Sequence, residues 1–302
     1  MNDKLMVGLI GGSGLGDALA AEKGRAVFDD TPFGKPSGPI TVGRWAGVRV
    51  AILSRHGAGH VYNPSTVPYR ANIHALKQLG VTHLIASGAV GSLREQIAPR
   101  DLVIPDQIID KTHQRRSTFF DTDVVAHVEF AEPFCPGLRR LLVEAGTAVE
   151  TTVHDGGTYV CMEGPQFSTV AESKMHQAWG GDLIGMTCCP EAKLAREAEI
   201  CYALVALPTD YDCWRPHDPD RGKQELLAEI IGHLEAATAN AVALIKAAVE
   251  RIGEGAELAP CGCGSALELA IWSDRERIPA RTVERLGPLL SKYVGPQSHA
   301  SK

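Results

Sequence analysis

Short apolar runs alternate with segments of helical periodicity along roughly the first 250 residues of the chain. The runs are continuous hydrophobic stretches of strand length, as expected for strands buried on both faces of a sheet. They predict strands at 5–10, 48–53, 81–86, 102–109, 158–162, 183–186 and 200–207. Helical spacing predicts helices at 69–79, 136–145, 171–179, 191–199 and 224–251. This alternation indicates an α/β fold with a largely parallel central sheet and helices on both faces.

The pattern changes near residue 253. Residues 1–252 contain the alternation of strands and helices, and we expect them to form one catalytic domain. A glycine-rich segment precedes a tail whose apolar residues recur at helical spacing, interrupted by Pro279 and Pro288. We expect residues 253–302 to form a helical extension with a Cys-Gly-Cys motif, packed on its own or a neighbouring subunit.

Composition and charge exclude some classes of partner. The chain has 302 residues, of which 44% are hydrophobic and 22% charged, and its formal net charge is −6. These values are ordinary for a globular protein, and the negative charge does not favour nucleic-acid binding. No apolar run is long enough to span a bilayer, and the N-terminus lacks a signal-peptide pattern. We therefore expect a cytoplasmic protein without a membrane or nucleic-acid partner.

The eight cysteines are scattered, and no C-x-x-C pair occurs among them. This spacing argues against a structural zinc site, so no metal is expected. The motif Cys261-Gly262-Cys263 stays open, because a redox-active pair, half of a metal site and exposed thiols without function all fit it.

Groups that bind phosphate follow the first two predicted strands. The first strand leads into Gly11-Gly12-Ser13-Gly14-Leu15, whose backbone N–H groups and Ser13 hydroxyl can cradle an anion. The G-x-G-x-x-G spacing is not met, which argues against a dinucleotide cofactor. Arg55-His56 ends the second strand; arginine binds phosphate through two N–H groups, and histidine can donate to the same anion. A metal site at His56 and His60 is disfavoured because no carboxylate flanks them.

Two aspartates, Asp210 and Asp212, follow the apolar run 200–207. In open α/β sheets, ligands bind beyond the carboxyl ends of the strands. On an extended segment the two carboxylates would face the same way, and could bind one ligand or hold a proton for transfer. A strand-to-loop turn with solvated acids is the alternative.

Three further strand ends carry small polar groups or an aromatic ring. They are Ser87-Gly88-Ala89, Phe167-Ser168-Thr169 and Met186-Thr187. The ring of Phe167 offers a face to a flat heterocycle. Phosphate-binding groups, a platform for a heterocycle and an acid together indicate phosphorolysis of a nucleoside.

Ten sequence blocks carry a family resemblance. They are Gly11–Leu15, Thr31–Gly34, Arg55–Gly57, Tyr69–Ile73, Gly91–Glu95, Ala131–Phe134, Glu163–Pro165, Gly185–Thr187, Pro190–Glu191 and Thr209–Trp214. Through these blocks the sequence resembles the methylthioadenosine phosphorylase branch of the purine nucleoside phosphorylase family over nearly all of residues 5–250. The Cys-Gly-Cys motif resembles that of some thermophilic relatives, where it is tied to disulfides.

The resemblance implies a mixed central sheet, a homotrimer and a reaction without a cofactor. Inorganic phosphate would be the co-substrate that converts S-methyl-5′-thioadenosine into adenine and 5-methylthioribose 1-phosphate. The positions that match the family's phosphate site are Ser13, Arg55, His56, Gly88, Ala89 and Thr187. Those that match its nucleoside site are Phe167, Ser168, Met186, Asp210, Asp212 and, from a neighbouring subunit, His127.

The same residues predict which base is bound. Asp210 is the candidate acid at purine N7, a role that requires a raised pKa, and Asp212 helps to hold the adenine edge. Asp210 can accept from a 6-amino group, and Ser168 places no carboxylate opposite N1, so we expect adenine over hypoxanthine or guanine. The charged segment 215–223 leaves adenosine open as a second substrate.

Other functions remain as alternatives to this assignment. The nearest is a purine nucleoside phosphorylase of 6-oxopurine or broad specificity, acting on inosine, guanosine or methylthioinosine. A catalytically silent, ligand-binding member of the fold and a nicotinamide-dependent oxidoreductase are the other two.

Overall fold

A computed structural model describes residues 5–12, 24–27, 30–216 and 222–294. Three parts of the sequence predictions lie outside these residues. They are Ser13 with the rest of the glycine-rich loop, residues 217–221 of the charged segment, and residues 295–302 of the C-terminal extension.

The described residues form one eleven-stranded sheet. Its strands are β1 (Met6–Gly11), β2 (Arg25–Val27), β3 (Ile40–Trp45), β4 (Val48–Ser54), β5 (His83–Ser92), β6 (Leu102–Ile104), β7 (Gln107–Asp110), β8 (Val153–Asp155), β9 (Thr158–Cys161), β10 (Leu183–Gly185) and β11 (Cys201–Asp210). The pairs β1–β4, β1–β5 and β5–β11 are parallel, whereas β3–β4 and β5–β10 are antiparallel. The expected α/β fold with a mixed, largely parallel sheet is confirmed.

Helices cover both faces of the sheet. They are α1 (Tyr69–Gln78), α2 (Pro136–Ala145), α3 (Val170–Ala178), α4 (Cys188–Glu197), α5 (Lys223–Gly253) and α6 (Ala280–Leu286). Because side chains alternate along a strand, Met6 and Ile10 of β1 join the core with α1 and α4, whereas Val7 and Leu9 join the core with α2 and α5. Among the residues that the structure describes, no helix is both long and apolar enough to cross a bilayer.

Several strands differ from the sequence prediction in extent. The run predicted at 102–109 is two short strands, β6 and β7, because Pro105 cannot donate to a continuous ladder. β5 continues to Ser92 and β11 to Asp210, so the polar residues expected beyond these strands are themselves paired. The strands β2, β3 and β8 were not predicted, since they are short or only partly buried.

The parallel strands bring the candidate site residues to one edge of the sheet. β1 lies between β4 and β5, and β11 pairs with the other side of β5. In the strand register, Gly11 pairs with Ser54 of β4, and Ile10 pairs with Ala86 of β5. The segments that follow these residues therefore meet at the carboxyl edge, where ligands bind in such sheets.

The C-terminal extension packs on the body of its own chain. Leu267, Leu286 and Leu290 are fully buried in the same core as α1 and α4. An antiparallel bridge between Ala126 and Ile271 also joins the extension to the long loop before α2. The extension is therefore continuous with the hydrophobic core that supports the sheet.

Leu290→Ala should lower the free energy of unfolding by about 2–5 kcal/mol, because it leaves a cavity at a fully buried position. Leu227→Ala on α5 is the matched control; this side chain is 58% exposed. Its loss should change stability by no more than about 0.5 kcal/mol. Urea unfolding monitored by circular dichroism measures both. Equally small effects would show that the extension does not contribute to the core.

Candidate active site

Arg55 lies at the centre of the candidate phosphate site and is fully buried directly after β4. Its Nε and Nη2 groups donate to the two carboxylate oxygens of Glu191 at 2.8 and 2.9 Å. Nη1 donates to the Ser87 carbonyl oxygen at 2.7 Å, and the Tyr202 hydroxyl donates to Glu191 at 2.9 Å. From the sequence, two N–H groups of Arg55 were expected to donate hydrogen bonds to phosphate. In the structure the Nε–Nη2 edge is taken by Glu191, because a buried guanidinium requires a counter-charge.

Two glycines allow a close approach to Nη1 of Arg55. A Cβ atom on Gly12 would lie 3.3 Å from Nη1, and one on Gly88 would lie 4.0 Å from it. The Cβ atom on Gly88 would also lie 3.4 Å from Oγ1 of Thr187, the residue before α4. Three predicted phosphate residues, Arg55, Gly88 and Thr187, are thus brought close together. Ala89 follows with an exposed side chain.

His56 is held as a neutral imidazole. Its Nδ1 lies 2.8 Å from the carbonyl oxygen of Tyr62, which can only accept, so Nδ1 carries the proton and Nε2 is an acceptor. Burial, together with the charge of Arg55, lowers the pKa of His56 to about 4. His56 is therefore suited to accept a hydrogen bond from a protonated phosphate oxygen. The sequence analysis had expected it to donate one.

Asp210 and Asp212 form a turn, so the expectation of an extended pair is wrong. Asp210 ends β11, and its Oδ1 accepts a hydrogen bond from the Asp212 N–H at 2.7 Å. Such a bond to the backbone two residues on is a common cause of turns, and Asp212 has a φ of +50°. Both acids still lie against Gly91, where a Cβ atom would be 3.2 Å from Asp210 Oδ1 and from Asp212 Cβ. They therefore remain adjacent at the carboxyl edge of the sheet.

Asp212 is a carboxylic acid in a partly buried position. Burial raises the pKa of Asp212, and the charge of Asp210 adds to this effect. Among the described residues, Asp212 Oδ2, Ser173 Oγ and His176 Nδ1 are buried without a hydrogen-bond partner. Buried polar atoms without partners are rare, and a ligand or water commonly provides the missing bond. The sequence analysis placed the raised pKa on Asp210 and did not identify Ser173 or His176, both on α3.

Phe167 and Ser168 border the two aspartates. The Phe167 side chain is 82% exposed, so its face is free to stack on a flat ligand. The Ser168 carbonyl oxygen accepts a hydrogen bond from Cys213 Sγ at 3.2 Å, which joins this segment to the residue after Asp212. The ring and the acids are therefore parts of one region.

Met186 connects this region to the phosphate site. It directly precedes Thr187 and packs in a small hydrophobic cluster that contains Met162. The Ser168 hydroxyl lies 3.8 Å from Sδ of Met162. Met186, the residue predicted to bind the sugar, therefore lies between Thr187 of the phosphate end and Ser168 of the base end.

His127 lies against the C-terminal extension and not beside the other predicted site residues. Its backbone N–H donates to the carbonyl oxygen of Ala270 at 2.9 Å, and its exposed ring meets Trp272 edge-on with centroids 5.2 Å apart. This location is compatible with the predicted role at the site of a neighbouring subunit.

Two buried charged residues of the site were missed by the sequence analysis. Glu191 is 136 residues from Arg55 along the chain, so no local signal indicates the pair. Arg115 lies in the long loop, yet its side chain is only 1% exposed, and its Nη1 donates to the carbonyl oxygens of Met186 and Cys189. Arg115 thus fixes the backbone on both sides of Thr187.

Comparison with known proteins gives a family and close structural relatives. The sequence matches the family described as the Phosphorylase superfamily over residues 6–250. It is 50% identical over 293 residues to S-methyl-5′-thioadenosine phosphorylase of Synechocystis sp. (strain PCC 6803 / GT-S), covering 96% of this chain and 88% of that protein.

Two solved structures extend the comparison. A methylthioadenosine phosphorylase from an antarctic soil metagenomic library has a TM-score of 0.85 and 46% identity, covering 94% of this chain and 98% of that one. A variant of adenosine/methylthioadenosine phosphorylase from Schistosoma mansoni, in complex with methylthioadenosine, has a TM-score of 0.80 and 34% identity. That match covers 89% of this chain and 99% of the other.

Glu191→Gln should lower the free energy of unfolding by about 3–5 kcal/mol, because the buried charge of Arg55 loses its counter-charge. Asp155→Asn is the control: Asp155 binds Arg139 at 2.6 Å but is 64% exposed. Loss of such an exposed pair costs at most about 1 kcal/mol. Urea unfolding at pH 7 compares the two variants, and equal effects would contradict the role assigned to Glu191.

Proposed function

This chain belongs to the phosphorylase superfamily, and we propose that it is a phosphorylase of S-methyl-5′-thioadenosine. Inorganic phosphate, the co-substrate, displaces adenine and forms 5-methylthioribose 1-phosphate, and no cofactor takes part. The observation that carries the proposal is the position of Arg55, Gly88 and Thr187, together with the Asp210–Asp212 pair, at one edge of the sheet. The name of the Synechocystis relative, at 50% identity, supports it.

The phosphate end holds the nucleophile. Nη1 of Arg55 and the hydroxyl of Thr187 donate to phosphate oxygens, and Ser13 contributes a third donor from the glycine-rich loop. Nε2 of His56 accepts a hydrogen bond from a protonated phosphate oxygen and so orients the anion. Because Glu191 fixes Arg55 beforehand, its donor needs no reorganisation during the reaction. The bound phosphate also stabilises the positive charge that develops on the ribose ring.

The base end protonates the departing purine. Bond cleavage leaves negative charge on the purine, and a positioned acid at N7 accelerates such a step by about 10²–10⁴-fold. We assign this transfer to Asp210. Asp212, whose pKa is raised by burial, allows the pair to retain a proton, and its unpaired Oδ2 accepts from the adenine edge.

Adenine is the base that this arrangement selects. A 6-amino purine presents a donor at position 6 and an acceptor at N1, whereas a 6-oxo purine reverses both. The two aspartates accept from the amino group, and Ser168 leaves N1 without a facing carboxylate. Mismatched buried polar groups discriminate by about 10⁴–10⁵-fold, which disfavours hypoxanthine and guanine. The methylthio group is selected at the 5′ end, where His127 of a neighbouring subunit contributes.

The assay that tests this function measures base release from methylthioadenosine, adenosine and inosine, with and without phosphate. We expect phosphate-dependent release that is fastest from methylthioadenosine, slower from adenosine and slowest from inosine. Faster cleavage of inosine would overturn the base assignment. Release in water without phosphate would instead identify a hydrolase.

Asp210→Asn should lower kcat for methylthioadenosine by about 10²–10⁴-fold with a smaller change in KM, because it removes the acid that acts in the transition state. Asp212→Asn should mainly raise KM, because it weakens the hydrogen bonding that binds the base. Steady-state kinetics at pH 7 compares kcat and KM of the two variants. The reverse pattern would identify Asp212 as the proton donor.

We also propose that the enzyme is a cytoplasmic homotrimer in which His127 completes a neighbouring site. Val125, Leu269 and Trp272 lie beside His127 and are 49%, 92% and 74% exposed. An exposed apolar patch of this kind commonly marks a protein interface. The eight cysteines are unpaired, as is typical of proteins in reducing compartments.

Trp272→Glu should dissociate the trimer, because it places a charge in the patch, whereas Arg25→Glu on the edge strand β2 should not. Sedimentation velocity measures the oligomeric state of both variants.

Homotrimers of His127→Ala and homotrimers of Asp210→Asn should each have reduced activity, but trimers that mix the two variants should regain part of it. With random mixing, about a quarter of the sites combine an intact Asp210 with an intact His127 from the neighbour. No recovery after co-refolding would place His127 in its own subunit's site or outside any site.

A further inference from the structure

Four cysteines from three distant segments meet in one cluster. Cys135 lies at the start of α2, Cys201 begins β11, and Cys261 and Cys263 belong to the extension. All four Sγ atoms lie within 4.8 Å of one another, and the Cys201 and Cys261 sulfurs are 3.4 Å apart. Three of the four residues are buried, and Cys261 is exposed.

This spacing is that of a tetrahedral metal site. Zinc binds four thiolates at about 2.3 Å, which places the sulfurs about 3.8 Å from one another. Disulfides would instead join the sulfurs two by two at about 2.05 Å and would not require all four to be mutually close. None of the four cysteines is joined in a disulfide.

The position of Cys135 suits a thiolate. Cys135 is the residue directly before the first turn of α2. A helix N-terminus stabilises negative charge. This position offsets part of the two negative charges that four thiolates leave around one divalent cation.

A second group of possible ligands lacks these properties. Asp110, Cys161 and Cys189 also lie close together. However, the Asp110 carboxylate is already bound to Lys193 at 2.6 Å and to Thr112 at 2.8 Å. It provides only three ligands, so the four-cysteine cluster is the better site.

We propose that Cys135, Cys201, Cys261 and Cys263 bind one structural zinc ion as a tetrathiolate. On binding, the thiols release their protons to solvent and each sulfur forms one bond to the metal. Cys261 provides the route of entry because it is exposed. The ion does not take part in phosphorolysis; it ties the extension to α2 and β11. The sequence analysis discounted zinc because no C-x-x-C pair is present, but the fold supplies the two ligands that sequence spacing cannot show.

The first test is the zinc content of the full-length protein. The protein is produced in zinc-supplemented medium and purified with a reductant but without chelator. We expect about one zinc per chain by plasma mass spectrometry, and a thiol at the exposed Cys261 that reacts in the native protein only after a chelator has removed the zinc. Cobalt in place of zinc should give the intense visible bands of a tetrahedral thiolate complex.

The second test locates the metal. Cys261→Ser should weaken zinc binding by more than about 100-fold, since even outer-shell partners are worth about 10–100-fold. Cys213→Ser removes a thiol outside the cluster and should leave zinc content unchanged. If Cys261→Ser fails to fold, competition for zinc by a chromogenic chelator on the wild-type chain still decides the matter.

Two results would overturn the proposal. One is a wild-type protein that neither carries zinc nor takes it up after reduction, whether peptide mapping of the protein as purified finds the four cysteines as free thiols or as two disulfides. The other is zinc retained equally by Cys261→Ser and Cys213→Ser, which would place the ion elsewhere.

Discussion

The ion pair between Arg55 and Glu191 is the interaction on which the rest of the site depends. It joins the end of β4 to α4, while the Ser87 carbonyl of β5 and the Tyr202 hydroxyl of β11 complete the hydrogen bonds. One buried charge pair and its hydrogen bonds therefore link β4, β5 and β11 to helix α4. An exposed arginine could donate more of its N–H groups to phosphate, but its side chain would become ordered only when phosphate binds. Here the guanidinium is fixed first, and the anion meets a donor that is already in place.

Positions without side chains shape the site as much as the charged residues do. Gly12 and Gly88 let Arg55 and Thr187 approach the strands closely, and Gly91 leaves room for both aspartates. Each of these glycines lies on or directly after a parallel strand, so the requirement follows from the close spacing of strands at the carboxyl edge. The proposed phosphate and base ends thus lie at the same edge of the sheet, with the proposed sugar position near Met186.

The sequence predicted the parts of the site that lie at strand ends, because strand ends can be found from apolar runs. Arg55, Gly88 and Thr187 were found in this way, and the structure brings them together. Contacts between distant segments were not predictable: Glu191 is 136 residues from Arg55, and Cys135, Cys201 and Cys263 have no informative spacing. The turn at Asp212 was also missed, because local side-chain hydrogen bonds overrode the alternation of an extended strand.

The C-terminal extension gives the cysteine cluster a consequence at the active site. From Cys261 and Cys263 the chain runs to Ala270 and Trp272, whose backbone groups bond to the segment around His127. Fixing the two cysteines to α2 and β11 therefore limits how far the His127 segment can move. The Arg55–Glu191 pair acts within its own subunit, whereas the proposed zinc site would act through His127 on the proposed neighbouring site. Loss of the metal should thus impair recognition of the 5′ group and leave the phosphate end intact, because the two depend on separate anchors in the fold.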